Sequence, residues 1–147
     1  MDAKRILPDM ECVFCAIVTG EAPTSWIYHD ERVISFMDIA PATPGHLLVV
    51  PKVHVSHLAD LDPEDGAQMF QLAQVLGQAL RDSSIAAQGI NLFLADGEVA
   101  FQDIFHIHLH VVPRTRGDGV TVHADFRKPE RDLLDAQAAD IRAVLLR

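Results

Sequence analysis

Residues 106–112 alternate histidine with apolar residues, in the order His-Ile-His-Leu-His-Val-Val. Successive side chains of a β-strand point to opposite faces, and residues two apart lie roughly 6.6–6.8 Å apart on one face. The alternation therefore predicts a strand over Ile104–Val112. The strand would place His106, His108 and His110 in a row on one face, with Phe105, Ile107, Leu109 and Val111 on an opposite, buried face.

Other segments predict the remaining elements. Apolar, β-rich runs predict four more strands, at Trp26–Tyr28, Val33–Asp38, His46–Val50 and Ile90–Leu94. Asp62-Pro63-Glu64-Asp65 is typical of a helix start, with an Asp cap, proline at the first position and acidic residues in the first turn. Apolar residues at helical spacing continue this long helix: Met69, Leu72, Ala73, Leu76 and Leu80. A short helix over 13–19 and a last helix from Pro129 to about Leu145 complete the list.

The order β-β-β-α-β-β-α favours an α+β fold over parallel βαβ units. We expect an antiparallel sheet of about five strands, one long central helix and a C-terminal helix. The sequence shows no internal repeat, low-complexity tract or linker, so residues 1–147 are expected to form a single domain.

The formal net charge of −9 argues against binding to nucleic acid, which needs a basic face, but it is compatible with a small phosphorylated ligand. No apolar run approaches the roughly 20 residues that span a bilayer. Met1 to Met10 lacks the apolar centre of a secretory signal. We therefore expect a cytoplasmic protein without a membrane partner.

Three histidines on one face of a strand have two chemical interpretations. Three imidazoles and a water can ligate a catalytic zinc ion. Alternatively, a neutral histidine can attack phosphorus and form an N–P bond that water later breaks, while a neighbouring imidazole donates to the phosphoryl oxygens. Histidine suits this chemistry because its ordinary pKa lies near neutrality.

The chain resembles the histidine-triad (HIT) family, whose motif is His-φ-His-φ-His-φ-φ with φ apolar. Beyond 106–112, it is similar to bacterial members at Cys12-Val-Phe-Cys15, Phe36-Met-Asp38-Ile39, Pro44-Gly-His46 and Val50-Pro-Lys-Val-His54. The resemblance covers residues 11–114 and leaves 115–147 as a C-terminal extension. It implies a HIT-like fold, a homodimer built on the long helix and the strand that follows it, and a nucleotide hydrolase.

The resemblance also implies roles for individual residues. His108 would be the nucleophile, His110 would contact the phosphate, and His46 would support the nucleophile. The base and ribose would lie near Phe36, Asp38 and Ile39, and Gln102 and Asp103 would also line the nucleotide site.

Cys12 and Cys15 are spaced C-x-x-C, which by itself allows a redox pair, half of a metal site or two ordinary thiols. The resemblance implies a structural zinc site of Cys12, Cys15, His54 and His106. Two thiolates and two imidazoles form a closed tetrahedral shell, which is typical of structural rather than catalytic zinc.

The chain departs from the family pattern in the loop before the triad. Ala95 stands where many members carry asparagine, Phe101 where glycine is common, and Asp103 where a serine is often found near the leaving group. The resemblance implies hydrolysis of purine nucleoside phosphoramidates first and of dinucleoside polyphosphates second, through a nucleotidyl-histidine intermediate. Two alternatives stay open: a nucleotide-binding module with little turnover, and a metalloenzyme with histidine ligands.

Overall fold

The computed structural model describes residues 12–145; the expectation for Met1 to Met10 lies outside this range. The first helix, α1 (Val13–Val18), begins at Cys12, whose Sγ accepts a hydrogen bond from the Cys15 amide at 3.5 Å. It ends just before Gly20, which has a positive φ of +81°. The cap therefore brings both cysteines to the same end of α1.

Five strands form one antiparallel sheet in the order β1-β2-β3-β5-β4. The strands are β1 (Trp26–His29), β2 (Val33–Met37), β3 (Leu47–Pro51), β4 (Gly89–Leu94) and β5 (Leu109–Arg114). The long helix α2 (Pro63–Asp82) precedes β4, and α3 (Arg131–Leu145) follows β5. Short 3-10 turns lie at Leu58–Asp60 and Glu98–Ala100. This architecture confirms the predicted α+β fold.

Helix α2 covers one face of the sheet. Asp62 caps it by accepting from the Glu64 amide at 2.8 Å, as the sequence predicts. The apolar side of α2, including Met69, Leu72 and Leu76, packs in a core with Val49 and Val111. Burying each such side chain contributes about 1.5–3 kcal/mol, so this face provides much of the stability of the fold.

The opposite face of the sheet is covered in part by α1. Phe14 of α1 packs there against Ile34, Phe36, Leu48 and Val50. Because β2 and β3 are buried on both faces, they have nearly continuous apolar runs. His110 is the register partner of Leu48 in β3, so it lies on this α1-covered face.

The predicted first residue of the histidine strand is wrong. It begins at Leu109 rather than Ile104, because Pro51 at the end of β3 has no N–H with which to extend the ladder. The amide of Ile107 instead donates to the Val55 carbonyl at 2.8 Å. Ile107, Leu109 and Val111 are buried in the α2-side core, whereas Phe105 is 45% exposed and does not belong to the predicted buried face.

The strand also continues past Pro113 to Arg114, because β5 is longer than its pairing with β3 and pairs there with β4 alone. Within residues 12–145, no helix has both the length and the apolar character needed to cross a bilayer.

Candidate active site and metal-ligand cluster

His108 is buried next to the start of β5, and its hydrogen bond defines which ring nitrogen can react. Its Nδ1 lies 2.7 Å from the carbonyl oxygen of His106. A carbonyl only accepts, so Nδ1 carries the proton, and Nε2 of the neutral ring keeps a lone pair. The edge of the Phe14 ring lies against the imidazole, with centroids 5.0 Å apart. His108 therefore presents a basic nitrogen from a fixed ring.

A hydrogen bond from His46 gives His110 the tautomer opposite to that of His108. The Ala42 amide donates to His46 Nδ1 at 2.9 Å, so the proton of neutral His46 is on Nε2. That Nε2–H lies 2.9 Å from His110 Nδ1, which must accept. The proton of His110 is then on its own Nε2. The chain of hydrogen bonds makes His110 a donor next to the basic nitrogen of His108.

Burial and the two neighbouring histidines, His108 and His46, lower the pKa of His110 to about 4, although the carboxylates of Asp38 and Asp103 act in the opposite direction. Burial also lowers the pKa of His46, and Asp38 again opposes it. Both rings are therefore neutral near pH 7, as the pattern of donors and acceptors requires.

The lowered pKa of His110 predicts that acid destabilises the fold. Unfolded His110 takes up a proton as the pH falls through about 6.5, whereas folded His110 does so only near pH 4. Between these values the unfolded state binds more protons, so the free energy of unfolding falls as the pH is lowered, by about 1–3 kcal/mol from this group. We expect His110→Gln to remove that part of the slope in urea unfolding measured from pH 7 to pH 4.5. An equal slope in both proteins would contradict the prediction.

His106 faces the cysteines at the start of α1. Its Nε2–H donates to the Pro51 carbonyl at 2.7 Å, which leaves the lone pair on Nδ1. That Nδ1 lies 3.5 Å from each of the sulfur atoms of Cys12 and Cys15 and 3.2 Å from Nδ1 of His54. Cys15 Sγ is also 3.2 Å from His54 Nδ1. The structure thus brings together all four predicted metal ligands.

The spacing of this cluster fits a tetrahedral zinc shell. Nitrogen and sulfur ligands at about 2.0–2.3 Å from zinc lie about 3.3–3.8 Å from one another. The ligand atoms of Cys12, Cys15, His54 and His106 all lie within 4.8 Å of one another. The Pro51 carbonyl also orients His106 as an outer-shell acceptor does for a zinc-bound imidazole. Both the donor chemistry and the geometry suit a structural zinc ion.

Asp38, His46 and His110 also lie close enough to share a metal ion. However, the Ala42 amide occupies Nδ1 of His46, and Nε2 of the same ring carries its proton. His46 can therefore offer no lone pair to a metal. Within residues 12–145, the three triad histidines do not form one ligand set either. The geometry does not favour a catalytic metal held by the triad.

A groove of 510 Å³ runs along the α1-covered face and ends at the histidines; we call it the main groove. Its lining includes Phe14, Phe36, Asp38, Ile39, His108 and His110. Ile39 is 100% exposed, so its role is not core packing. Asp38 accepts from the Ala40 amide through Oδ1 at 2.8 Å, while its Oδ2 lies 3.5 Å from His46 Nε2. The lining of the main groove is therefore mostly apolar, with two carboxylates, Asp38 and Asp103.

Gln102 and Asp103 have different positions. Gln102 is buried and holds the loop together: its side chain accepts from the Gly97 amide and donates to the Ser56 and Ile104 carbonyls. A direct contact of Gln102 with nucleotide stays a prediction. Asp103 is exposed and lines the main groove.

Phe101 has a left-handed backbone with φ of +71°, a conformation that glycine adopts without strain.

A model of the HIT domain matches residues 19–117, which is more than half of the 147-residue chain. The chain belongs to the HIT domain family. It is 42% identical over 126 residues to an uncharacterized HIT-like protein of Mycobacterium tuberculosis strain H37Rv, covering 84% of this chain and 87% of that protein. An adenosine 5'-monophosphoramidase of Schizosaccharomyces pombe is 32% identical, covering 71% of this chain and 75% of the yeast protein.

The crystal structure of a Zn-bound histidine triad family protein from Mycobacterium smegmatis is similar to this HIT protein. The two share 45% identity with a TM-score of 0.74, and the match covers 92% of this chain and 99% of the other. The similarity confirms the predicted HIT fold. A solved relative that holds zinc also agrees with a ligand cluster that fits zinc in this chain.

Sequence reasoning did not assign a role to Phe14 or Thr43 of this HIT protein. Phe14 contacts the rings of Phe36, His106 and His108 at centroid distances of 5.0–5.9 Å, and so connects the metal-ligand cluster to the groove. The sequence feature that could have identified Phe14 is its position between the two cysteines of the C-x-x-C segment. Buried Thr43 donates to the Pro113 carbonyl at 2.7 Å and so fixes the turn that carries the Ala42 amide; no motif marks it.

Proposed function

We propose that this protein binds a nucleoside 5'-monophosphate conjugate and hydrolyses it. The first substrate class is purine nucleoside phosphoramidates, and dinucleoside polyphosphates are the second. The observation that carries the proposal is the pair of opposite tautomers: His108 offers a lone pair at Nε2, and His110 offers an N–H at Nε2, both at the main groove. The similar yeast protein, named for monophosphoramidase activity, supports the choice of substrate.

In the proposed reaction, Nε2 of His108 attacks the phosphorus atom in line with the leaving amine. An N–P bond forms at the histidine, the P–N bond to the amine breaks, and the amine departs with a proton drawn from solvent. Water then cleaves the nucleotidyl-histidine bond, which releases the monophosphate and restores His108. Throughout, His110 donates to the phosphoryl oxygens and stabilises the charge that develops there.

The main groove supports the proposed nucleotide contacts. Phe36 is buried next to Phe14 and gives an apolar surface for a base, with Ile39 exposed at the rim. Asp38 is a carboxylate that can accept from ribose hydroxyls. His46 acts through its hydrogen bond to His110 rather than on the phosphate itself.

We also propose that Cys12, Cys15, His54 and His106 bind one structural zinc ion. When bound, zinc would tie the start of α1 to the segment before β5, and it would supply stability rather than reactivity. In this proposal the ring of His106 binds the metal, and its carbonyl oxygen orients the nucleophile His108.

Incubation with adenosine phosphoramidate at low temperature tests the proposed function. We expect release of AMP, together with a transient protein species heavier by one AMP group in intact mass spectrometry. Tight AMP binding without release from phosphoramidate or dinucleotide would instead favour a nucleotide-binding module. The absence of both binding and turnover would overturn the proposal.

We propose a homodimer formed through α2 and β4. Phe70 is 54% exposed, and it lies on the same side of α2 as Gln74 and Gly77, which line a groove together with exposed Leu92 of β4. Exposed apolar side chains beside a groove between two elements are typical of an interaction surface.

Phe70→Arg is expected to weaken this dimer by about 100-fold, because a buried unpaired charge is costly at an interface. Light scattering after size exclusion would then report a monomer mass at micromolar concentration. Val75→Arg is the matched control, since Val75 is also exposed on α2 but on a different side. If Phe70→Arg stayed dimeric, or both variants dissociated equally, this interface would be wrong.

A further inference from the structure

A second groove, of 440 Å³, meets the main groove at Val13, Asp103 and Ile104; we call it the side groove. Its other lining includes His54, Ser56 and Phe105. Asp103 therefore lies where the two grooves meet. A conjugate whose nucleoside occupies the main groove would extend its leaving group past this carboxylate.

The place of Asp103 is fixed by the residue before it. Buried Gln102 bonds to the Gly97 amide at 2.8 Å and to the Ser56 carbonyl at 2.7 Å. Asp103 itself uses one oxygen to accept from the Ile104 amide at 2.9 Å. The hydrogen bonds of Gln102 thus tie the backbone on either side of Asp103 to Gly97, Ser56 and Ile104.

The charge of Asp103 is not compensated by the protein. Within residues 12–145, Asp103 makes no ion pair, and neither groove is lined by lysine or arginine. Another carboxylate of the same loop, Asp96, pairs with His57 at 3.2 Å and lines neither groove. Two thiolates and two imidazoles around a zinc ion would be neutral overall. The side groove therefore favours a positive charge.

We propose that the side groove receives the leaving group, and that the preferred leaving group is an amine carrying a second, protonated amino group that pairs with Asp103. This inference rests on the proposed function and names its substrate class more closely. Asp103 contacts the substrate as a specificity-determining residue. The same carboxylate repels a polyphosphate leaving group, for which neither groove supplies a lysine or arginine.

Two adenosine phosphoramidates test the proposal, one formed with butylamine and the other with 1,4-diaminobutane. The two amines share a four-carbon chain, and the second carries an additional ammonium group at its far end. We expect kcat/KM to favour the diamine conjugate by about fivefold, chiefly through KM, since an ion pair at an exposed carboxylate is worth about that factor. In Asp103→Asn and Asp103→Ser the ratio should fall to about one, and high salt should reduce it in the unchanged protein.

Glu98→Gln is the matched control, because Glu98 is exposed on the same loop and lines neither groove. It should keep the fivefold preference. A ratio of one in the unchanged protein, or a preference that survives Asp103→Asn, would overturn this inference while cleavage of the butylamine conjugate upholds the proposed function. Failure to cleave either conjugate would overturn both.

Discussion

Replacing His108 should lower kcat for AMP release from adenosine phosphoramidate by about four orders of magnitude or more, because a covalent route is lost with its nucleophile. Its Nε2 carries the lone pair only because Nδ1–H is bound to the His106 carbonyl at 2.7 Å. His110 cannot substitute, since its Nδ1 is occupied by His46 and its Nε2 is protonated. The AMP-protein species should also disappear from intact mass spectra.

Two variants separate loss of chemistry from loss of structure. His108→Ala leaves a cavity beside Phe14, whereas His108→Asn keeps an N–H that can reach the His106 carbonyl. Both should lose turnover, and His108→Asn should keep the melting temperature close to that of the unchanged protein. His29→Ala, at an exposed histidine on β1, should retain full activity. An AMP adduct on His108→Asn would show that another residue is the nucleophile.

The sequence predicts the elements well where local patterns determine them. The Asp62-Pro63 start and the apolar spacing identify α2, and the two-residue period places His108 and His110 on one face. The start of β5 is different, because Ile107 leaves the ladder to bond Val55, which lies far away in the chain. A distant partner of this kind has no local sequence signal.

In the candidate site, too, the sequence identifies the residues that local motifs mark but not the features that depend on distant backbone groups. Local motifs and the family resemblance identify the four proposed zinc ligands, and the structure brings their ligand atoms within 4.8 Å of one another. The tautomers depend on the Ala42 amide and the His106 carbonyl, which are backbone groups that no side-chain motif records. The division into a core over 11–114 and an extension stays a prediction. Helix α3 in that extension has no buried residue in the structure.

Removing the thiolates should remove zinc and lower the melting temperature by about 10 °C or more. Cys12→Ser and Cys15→Ser should each reduce the zinc content from one ion per chain to nearly none, because a serine hydroxyl does not replace a thiolate. The cluster joins the start of α1 to the segment before β5, so its loss frees two parts of the chain that pack on the same face. Elemental analysis and thermal unfolding measure the two effects.

The zinc content of each variant decides whether the metal is structural or catalytic. His108→Asn should keep its zinc, since His108 Nδ1 bonds to backbone and its ring is not part of the cluster. Zinc that survived Cys12→Ser but was lost with His108→Asn would reverse the assignment and make the triad the ligand set. Turnover should also fall when a chelator strips the unchanged protein and recover when zinc is restored. The reason is that the carbonyl that orients His108 belongs to His106, a proposed zinc ligand.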